Sequence, residues 1–383
     1  MAHSAVSQDV SKRPFIGRLI LFLKKNAVLA IAFCAAVISA ILVPPDGEYL
    51  GYFDVKTLCC LFGTLAVVCA LKNIRFFAIL ASRIIRFAGN SRTATLILLC
   101  ITFIGSMLIA NDMALITFLP LGYYVFSATG RKQEVATVFI LQNIAANLGG
   151  MLTPFGNPQN LYLYTRYQIP TGEFMGIMFP PFIVAIVLIA LCCFLIPQHS
   201  LKIQEKREGT LPKGRTMVYI ILFSLTIMMV FRLLPVWLVL IAVVAVLFFM
   251  DRKALWMVDY GLLATFVCFF IFSGNMGRLP AVRDFFSGLL EKNTLLTAAL
   301  SCQVISNVPS AILLSQFTEN YAPLLVGVNI GGAGTLIASL ASLITFREYT
   351  SHYRECTRAY ILRFSALNFG FLIVLAVICN FIL

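Results

Sequence analysis

Residues 147–160 read Asn-Leu-Gly-Gly-Met-Leu-Thr-Pro-Phe-Gly-Asn-Pro-Gln-Asn, and residues 329–342 read Asn-Ile-Gly-Gly-Ala-Gly-Thr-Leu-Ile-Ala-Ser-Leu-Ala-Ser. Each stretch interrupts a long apolar run, 135–169 in the first case and 324–346 in the second. Laid on one another, they set Thr153 against Thr335, Gly156 against Ala338, Asn157 against Ser339 and Asn160 against Ser342. A helix broken inside lipid leaves N–H and C=O groups that must be paired by protein, water or a ligand. Two matched interruptions therefore predict one shared polar pocket rather than two unrelated kinks.

Working outward, each broken run is preceded by a pair of apolar segments with a polar tip: residues 93–128 break at Asn111-Asp112, and residues 293–318 break at Ser306-Asn307. Arg92 lies at one end of the first pair and Arg131-Lys132 at the other. Basic residues mark cytoplasmic loops, so this pair reads as a re-entrant helical hairpin whose two ends are both inside. The same rule places the ends of the second hairpin outside. Opposite orientation makes an inverted repeat, the arrangement of many secondary transporters. Its halves are residues 26–197 and 234–383. A basic interfacial segment, 1–25, precedes them, and a cytoplasmic linker with a connecting helix, 198–233, joins them.

Composition agrees with an all-α polytopic membrane protein. Of 383 residues, 60% are hydrophobic and 12% charged, and the mean hydropathy is +0.92; a soluble exterior needs roughly a quarter charged. Barrel strands alternate polar and apolar residues, and these runs are apolar all round. The net charge of +13 sits in loops between apolar segments, as positive-inside loops require, so no nucleic-acid partner is expected. This pattern predicts residence in a bacterial inner (cytoplasmic) membrane, with the N-terminus cytoplasmic and the C-terminus outside. The first 25 residues lack a small-residue cleavage site, so no removable signal peptide is read. The 11 cysteines include no C-x-x-C and read as small buried residues, with neither metal nor disulfide. No cofactor is expected beyond Na+ or H+ as coupling ion. An enzyme would need a water-accessible nucleophile, acid pair or metal cluster, and the sequence offers none.

Half-helix C-terminal carbonyls suit Na+, whereas N-terminal N–H groups suit an anion. Asn111, Asp112, Gly156, Asn157 and Asn160 are the candidate residues of one cation site; Ser306, Asn307, Gly331, Gly332 and Ser339 are those of its counterpart. The substrate is expected between Asn111 and Asn307, beside Thr153, Thr335 and Asn157. Asp112 is a carboxylate in the interior of a membrane element, where charge is costly; it can bind a cation, carry a proton or cap the hairpin helix. Asp259 stands at a helix start. Arg166 and Arg278 read as interfacial anchors, with Arg166 close enough to the broken helix to meet an anion.

At Ala110-Asn111-Asp112, Gly156-Asn157-Pro158-Gln159-Asn160, Val258-Asp259-Tyr260-Gly261-Leu262-Leu263 and Ser306-Asn307-Val308-Pro309 the chain resembles the ion transporter superfamily. That superfamily includes divalent anion/sodium symporters, citrate transporters, arsenite efflux permeases and some sodium/proton antiporters. The resemblance, from about Ala30 to Leu383, implies a mobile transport domain of hairpins and broken helices that moves as an elevator past a scaffold, in a homodimer. Its symporters carry Ser-Asn-Thr at both tips. Here both threonines are replaced, by Asp112 and Val308, and Asn-Asp before Gly-Asn-Pro-Gln-Asn is more similar to the arsenite and antiporter branches. The expected activity is secondary transport of a small anion or oxyacid, di/tricarboxylate-like or arsenite-like, coupled to Na+ or H+. Sodium/proton antiport without an organic substrate is the alternative.

Overall fold

The computed structural model describes residues 27–128, 134–194, 196–200 and 210–382. The expected N-terminal segment 1–25 and the middle of the 198–233 linker fall outside them. Among the described residues the chain is helical, with one isolated antiparallel bridge, Asn90 with Ser200, and no strand. Among the described residues seven helices are long and apolar enough to cross a membrane. Packing divides the described residues into two compact units, one from 27–53 with 259–283, the other from within 54–258 with 284–382. Each unit draws on both of the sequence halves.

In the smaller unit α1 (Ala27–Leu42) packs on the helix Tyr260–Arg278, numbered α12 in chain order. Asn275 of α12 donates to Ser39 Oγ at 3.1 Å and to Tyr49 Oη at 2.9 Å, which pins the two helices through a buried polar contact. Asp259 caps α12 by accepting from the Leu262 amide at 2.9 Å, a structural use of the carboxylate. Arg278 closes the other end, 2.7 Å from Asp46 and 3.4 Å from Glu48. Its guanidinium holds the Asp46 carboxyl below the usual carboxylate range. The segment Met276 to Leu290 is the end of α12 and the start of the next helix, because Leu279 interrupts with an extended backbone.

The larger unit holds α2 (Val55–Asn73), α3 (Phe76–Ile85), α4 (Ser91–Ile109), α5 (Asn111–Ala128), α6 (Val135–Gly149), α7 (Pro158–Arg166) and α8 (Thr171–Phe194). After the linker come α9 (Lys213–Val230), α10 (Val236–Met250) and α11 (Arg252–Trp256). The helix α13 (Pro280–Ile305) breaks at Asn293, whose side chain recaps it through the Leu296 amide at 2.8 Å. It leads to α14 (Asn307–Leu314), α15 (Tyr321–Ile330), α16 (Leu340–His352) and α17 (Thr357–Ile382). Both expected interruptions are present: α6 ends in a 3-10 turn at Gly150–Leu152 before α7 begins, and α15 stops nine residues short of Ser339, which precedes α16.

The core lies around α6, whose side chains are buried from Val135 to Gly149 except at Thr137. The helices α4, α5 and α16 pack against it. By contrast α8, α10 and α17 present large apolar side chains outward, among them Phe194, Phe249 and Phe381, as lipid-facing surfaces do. Apart from tyrosine hydroxyls and cysteine thiols, every polar side chain buried among the described residues is Ser, Thr, Asn or Gln; none carries a charge.

Two glycines permit the core contact. A Cβ on Gly149 would stand 2.5 Å from the Phe103 carbonyl, and one on Gly331 would stand 2.9 Å from Ala299 Cα. Phe103 and Ala299 each lie seven residues before a hairpin tip, so the same approach occurs twice. Gly149→Val is expected to destabilise the protein by about 1–3 kcal/mol through overpacking. Gly176→Ala, at a position with open space, is expected to cost nothing, and thermal unfolding in detergent of the two variants checks the contrast.

Candidate functional site

Each helix pair turns on a single non-glycine residue with positive φ. Ala110 joins α4 to α5 at φ 65, ψ 150, and Ser306 joins α13 to α14 at φ 75, ψ 160. Only glycine visits this region readily, so both tips hold strained backbone at matched positions. The consequence is local and identical: α5 and α14 begin on an asparagine whose own Oδ1 accepts the next amide, Asp112 N or Val308 N, at 2.9 Å. The positive end of each helix is thereby held at the tip, and the asparagine NH2 is turned toward the rest of the core.

The two asparagines converge. Asn111 donates to Asn147 Oδ1 at 3.1 Å. A Cβ added at Gly332 would lie 3.3 Å from Asn307 Nδ2 and 3.6 Å from the same Asn147 oxygen. Asn111, Asn307, Asn147 and Gly332 thus share one small volume, with Gly332 bare because its neighbours are amides. Asp112, half-buried, follows Asn111 on the first turn of α5 and is the carboxylate beside this centre.

The remaining expected residues mostly hold the broken backbone together. Asn160 donates to the carbonyls of Gly150, Met151 and Thr153, each at 3.1 Å. Its own Oδ1 accepts from Asn329 at 2.6 Å, across to the other half. Asn157 does not cap α7; its NH2 donates to the Asn147 carbonyl at 3.3 Å and to Asn329 Oδ1 at 3.2 Å. Gly156 folds against Gly150 so closely that a Cβ would meet the Gly150 oxygen at 2.3 Å. Thr153 and Thr335 repeat one bond, donating to Met107 O at 2.8 Å and to Gln303 O at 3.1 Å, each three residues before a tip. Ser339 caps α16 through the Ser342 amide at 3.2 Å. Ser306 donates to Ala338 O at 3.3 Å, and the Asn307 amide donates to the same oxygen at 2.9 Å, which fastens the second tip to the second break. Gly331 backs onto Ala299 and Cys302, away from the centre.

Several residues entered without a sequence-level role. Gln303 does for the second break what Asn160 does for the first, donating to Gly331 O at 2.8 Å and Ala333 O at 3.1 Å while accepting from the Thr335 amide at 2.8 Å. Asn143 receives Asn147 at 3.4 Å and reaches Ser342 Oγ at 3.3 Å and Asn368 Oδ1 at 3.5 Å. A polar side chain four residues before Asn147, on the same helix face, was the available signal for Asn143. Arg166 and Arg278 stand outside this network.

A family model described as "Citrate transporter" matches residues 18–328. An uncharacterised transporter of Methanocaldococcus jannaschii is 33% identical over 301 residues, which cover 78% of this chain and 82% of that protein. The inner membrane protein YbiR of Escherichia coli is 29% identical over 301 residues, 77% of this chain and 80% of its own. The crystal structure of the Alcanivorax borkumensis YdaH transporter, described as having an unusual topology, covers 94% of this chain and 98% of its own with a TM-score of 0.52 at 14% identity, a likeness of fold alone.

Three substitutions separate strain from pairing. Ala110→Gly is expected to stabilise by about 1 kcal/mol, the released strain less the glycine entropy, and Ser306→Gly by less, since it also forfeits the bond to Ala338. Asn160→Ala is expected to cost about 3 kcal/mol or more by leaving buried carbonyls without a donor. Thermal unfolding in detergent measures all three; an Asn160→Ala protein that melts with the parent would refute the pairing role.

Proposed function

Because this chain belongs to the citrate transporter family, we propose that it is a secondary transporter of a small anion or oxyacid, coupled to Na+ or H+. The observation that carries the reading is the convergence of Asn111 and Asn307, at the starts of α5 and α14, on Asn147 and Gly332. Amide NH2 groups and two helix N-termini offer donors to substrate oxygens, while Asp112 offers the negative charge a coupling cation needs. In this reading Asn111, Asn307, Thr153, Thr335 and Asn157 surround the substrate path. Asp112 with Asn111 and Gly156 forms one cation position, and Ser306, Asn307, Gly332 and Ser339 form the other. The two matched sets of contacts act as inverted repeats. The helix pairs are re-entrant and move with the broken helices as an elevator, in a homodimer with its N-terminus inside and its C-terminus outside.

A second reading, Na+/H+ exchange without an organic substrate, is favoured by Asp112 itself, the carboxylate next to the amide centre. Purified protein in liposomes, carrying a pH-sensitive dye and exposed to labelled citrate or succinate, distinguishes the two after an inward sodium jump. Substrate accumulation that requires sodium supports the symporter, and proton efflux without substrate supports the exchanger. Asn307→Ala is expected to lower transport about 10- to 100-fold, the loss of one or two hydrogen bonds to a charged group, with folding intact. Asp112→Asn is expected to abolish sodium dependence. Unaltered uptake in Asn307→Ala would remove the site assignment.

A further inference from the structure

The buried core contains no cationic side chain among the described residues, so an anion arriving at the amide centre meets donors but no fixed positive charge. A charge does stand at the far end of α7. Arg166 lies nine residues beyond Asn157 on the same half-helix, about 13 Å away at helical rise. There a cavity of about 430 Å³ is lined by Arg166, Tyr167, Gln168, Glu319 and Tyr321. Its frame is fixed. Tyr167 Oη donates to Thr318 O at 2.7 Å, the Tyr167 and Tyr321 rings lie 5.5 Å apart, and Tyr321 Oη donates to Glu173. Gln168 holds a left-handed φ of 49 that turns the chain at the wall. Among the described residues neither Arg166 nor Glu319 has an ion-pair partner, so both charges are available to a guest.

We infer that this cavity is a second binding site, an outlying capture site for a small oxyacid anion that also carries a hydroxyl or acidic O–H. The Arg166 guanidinium presents a planar fork that suits the two oxygens of a carboxylate or an oxyanion. Glu319, in the same cavity, repels a ligand that is anionic all round but accepts a hydrogen bond from an O–H. The two tyrosine rings offer an apolar wall for the carbon skeleton. A fully ionised anion without an O–H satisfies Arg166 and opposes Glu319, so the pair selects as well as attracts. Charge at a mouth raises the local concentration of an oppositely charged solute and its rate of arrival. The binding site stands on its own geometry; its role in supplying the amide centre rests on the transport reading above.

Citrate is the probe, with tricarballylate, the same tricarboxylate without the hydroxyl, as its partner. The full-length protein bearing Asn307→Ala, with the central site impaired, is titrated calorimetrically in detergent at low salt. A saturable citrate site is expected, weakened about tenfold by adding Arg166→Gln, the loss of a charge-assisted hydrogen bond, and unchanged by adding Lys213→Gln. Tricarballylate is expected to bind about tenfold more weakly than citrate, and Glu319→Ala is expected to erase that preference. If Asn307→Ala does not purify, Asn111→Ala takes its place. Absence of a saturable site, or equal binding with and without Arg166, overturns the proposal. In liposomes Arg166→Gln alone is expected to raise KM about tenfold with kcat unchanged. Loss of transport in Asn307→Ala together with parental citrate binding in Arg166→Gln would defeat the capture site and leave the transport reading intact. A protein that moves no anion yet binds citrate through Arg166 would do the reverse.

Discussion

The structure turns on how an apolar helix can stop in the middle of a buried core. At the end of α6 one side-chain amide, Asn160, donates to the carbonyls of Gly150, Met151 and Thr153, the last of which also accepts from the Gly156 amide. At the end of α15 the carbonyls of Gly331 and Ala333 receive Gln303. Unpaired carbonyls in such surroundings are expensive, so without these donors neither interruption would persist. Once the breaks are secured, the backbone of residues 153–157 can fold back on Gly150 and the second tip can rest on Ala338. The convergence of Asn111 with Asn307 follows from those placements.

The same task is given to side chains in different places. Asn160 comes from the resumed helix α7, whereas Gln303 comes from the helix that leads into the tip. The two halves therefore match in what is paired rather than in which position does the pairing. Thr153 and Thr335, and Gly149 and Gly331, keep both the position and the contact. The tips keep their conformation as well, although Ala110 and Ser306 differ in type.

The large features were legible because membrane burial leaves strong marks in a sequence: long apolar runs, a polar residue at each turn, and glycine where backbones meet. The helix pairs and both interruptions lie close to where hydropathy and the Asn-x-Gly-Gly match set them. What the sequence did not disclose is which lone pairs and protons are already used. Asn157 looks like an N-cap, since it precedes Pro158 at a helix start, yet its side chain accepts from no amide of α7 and its NH2 donates to the Asn147 carbonyl and to Asn329 Oδ1. Asn160 looks like a cation ligand, and its NH2 serves three backbone carbonyls while its Oδ1 accepts from Asn329. Gln303 is a single polar letter in an apolar run, and only its distance to Gly331 gives it meaning. Hydropathy likewise does not register one extended residue, Leu279, that divides the segment from Met276 to Leu290 between two helices.

An all-amide core also bears on what can be coupled. Asparagine, glutamine, serine and threonine present both donors and acceptors, so Asn111, Asn147, Asn143, Ser342 and Asn368 form a continuous hydrogen-bonded line with no net charge. Such a line can exchange partners without burying an ion, as the proposed elevator movement would require. It cannot by itself retain an anion in a low-dielectric interior, where an uncompensated charge is heavily penalised. In the proposed cycle that compensation must arrive with the substrate, as Na+ or H+ at the one carboxylate beside the centre. In that proposed cycle the lack of a buried cation among the described residues and the presence of Asp112 are two sides of one arrangement: a resident arginine would bind the anion without the ion, and the proposed transport would no longer be tied to the gradient.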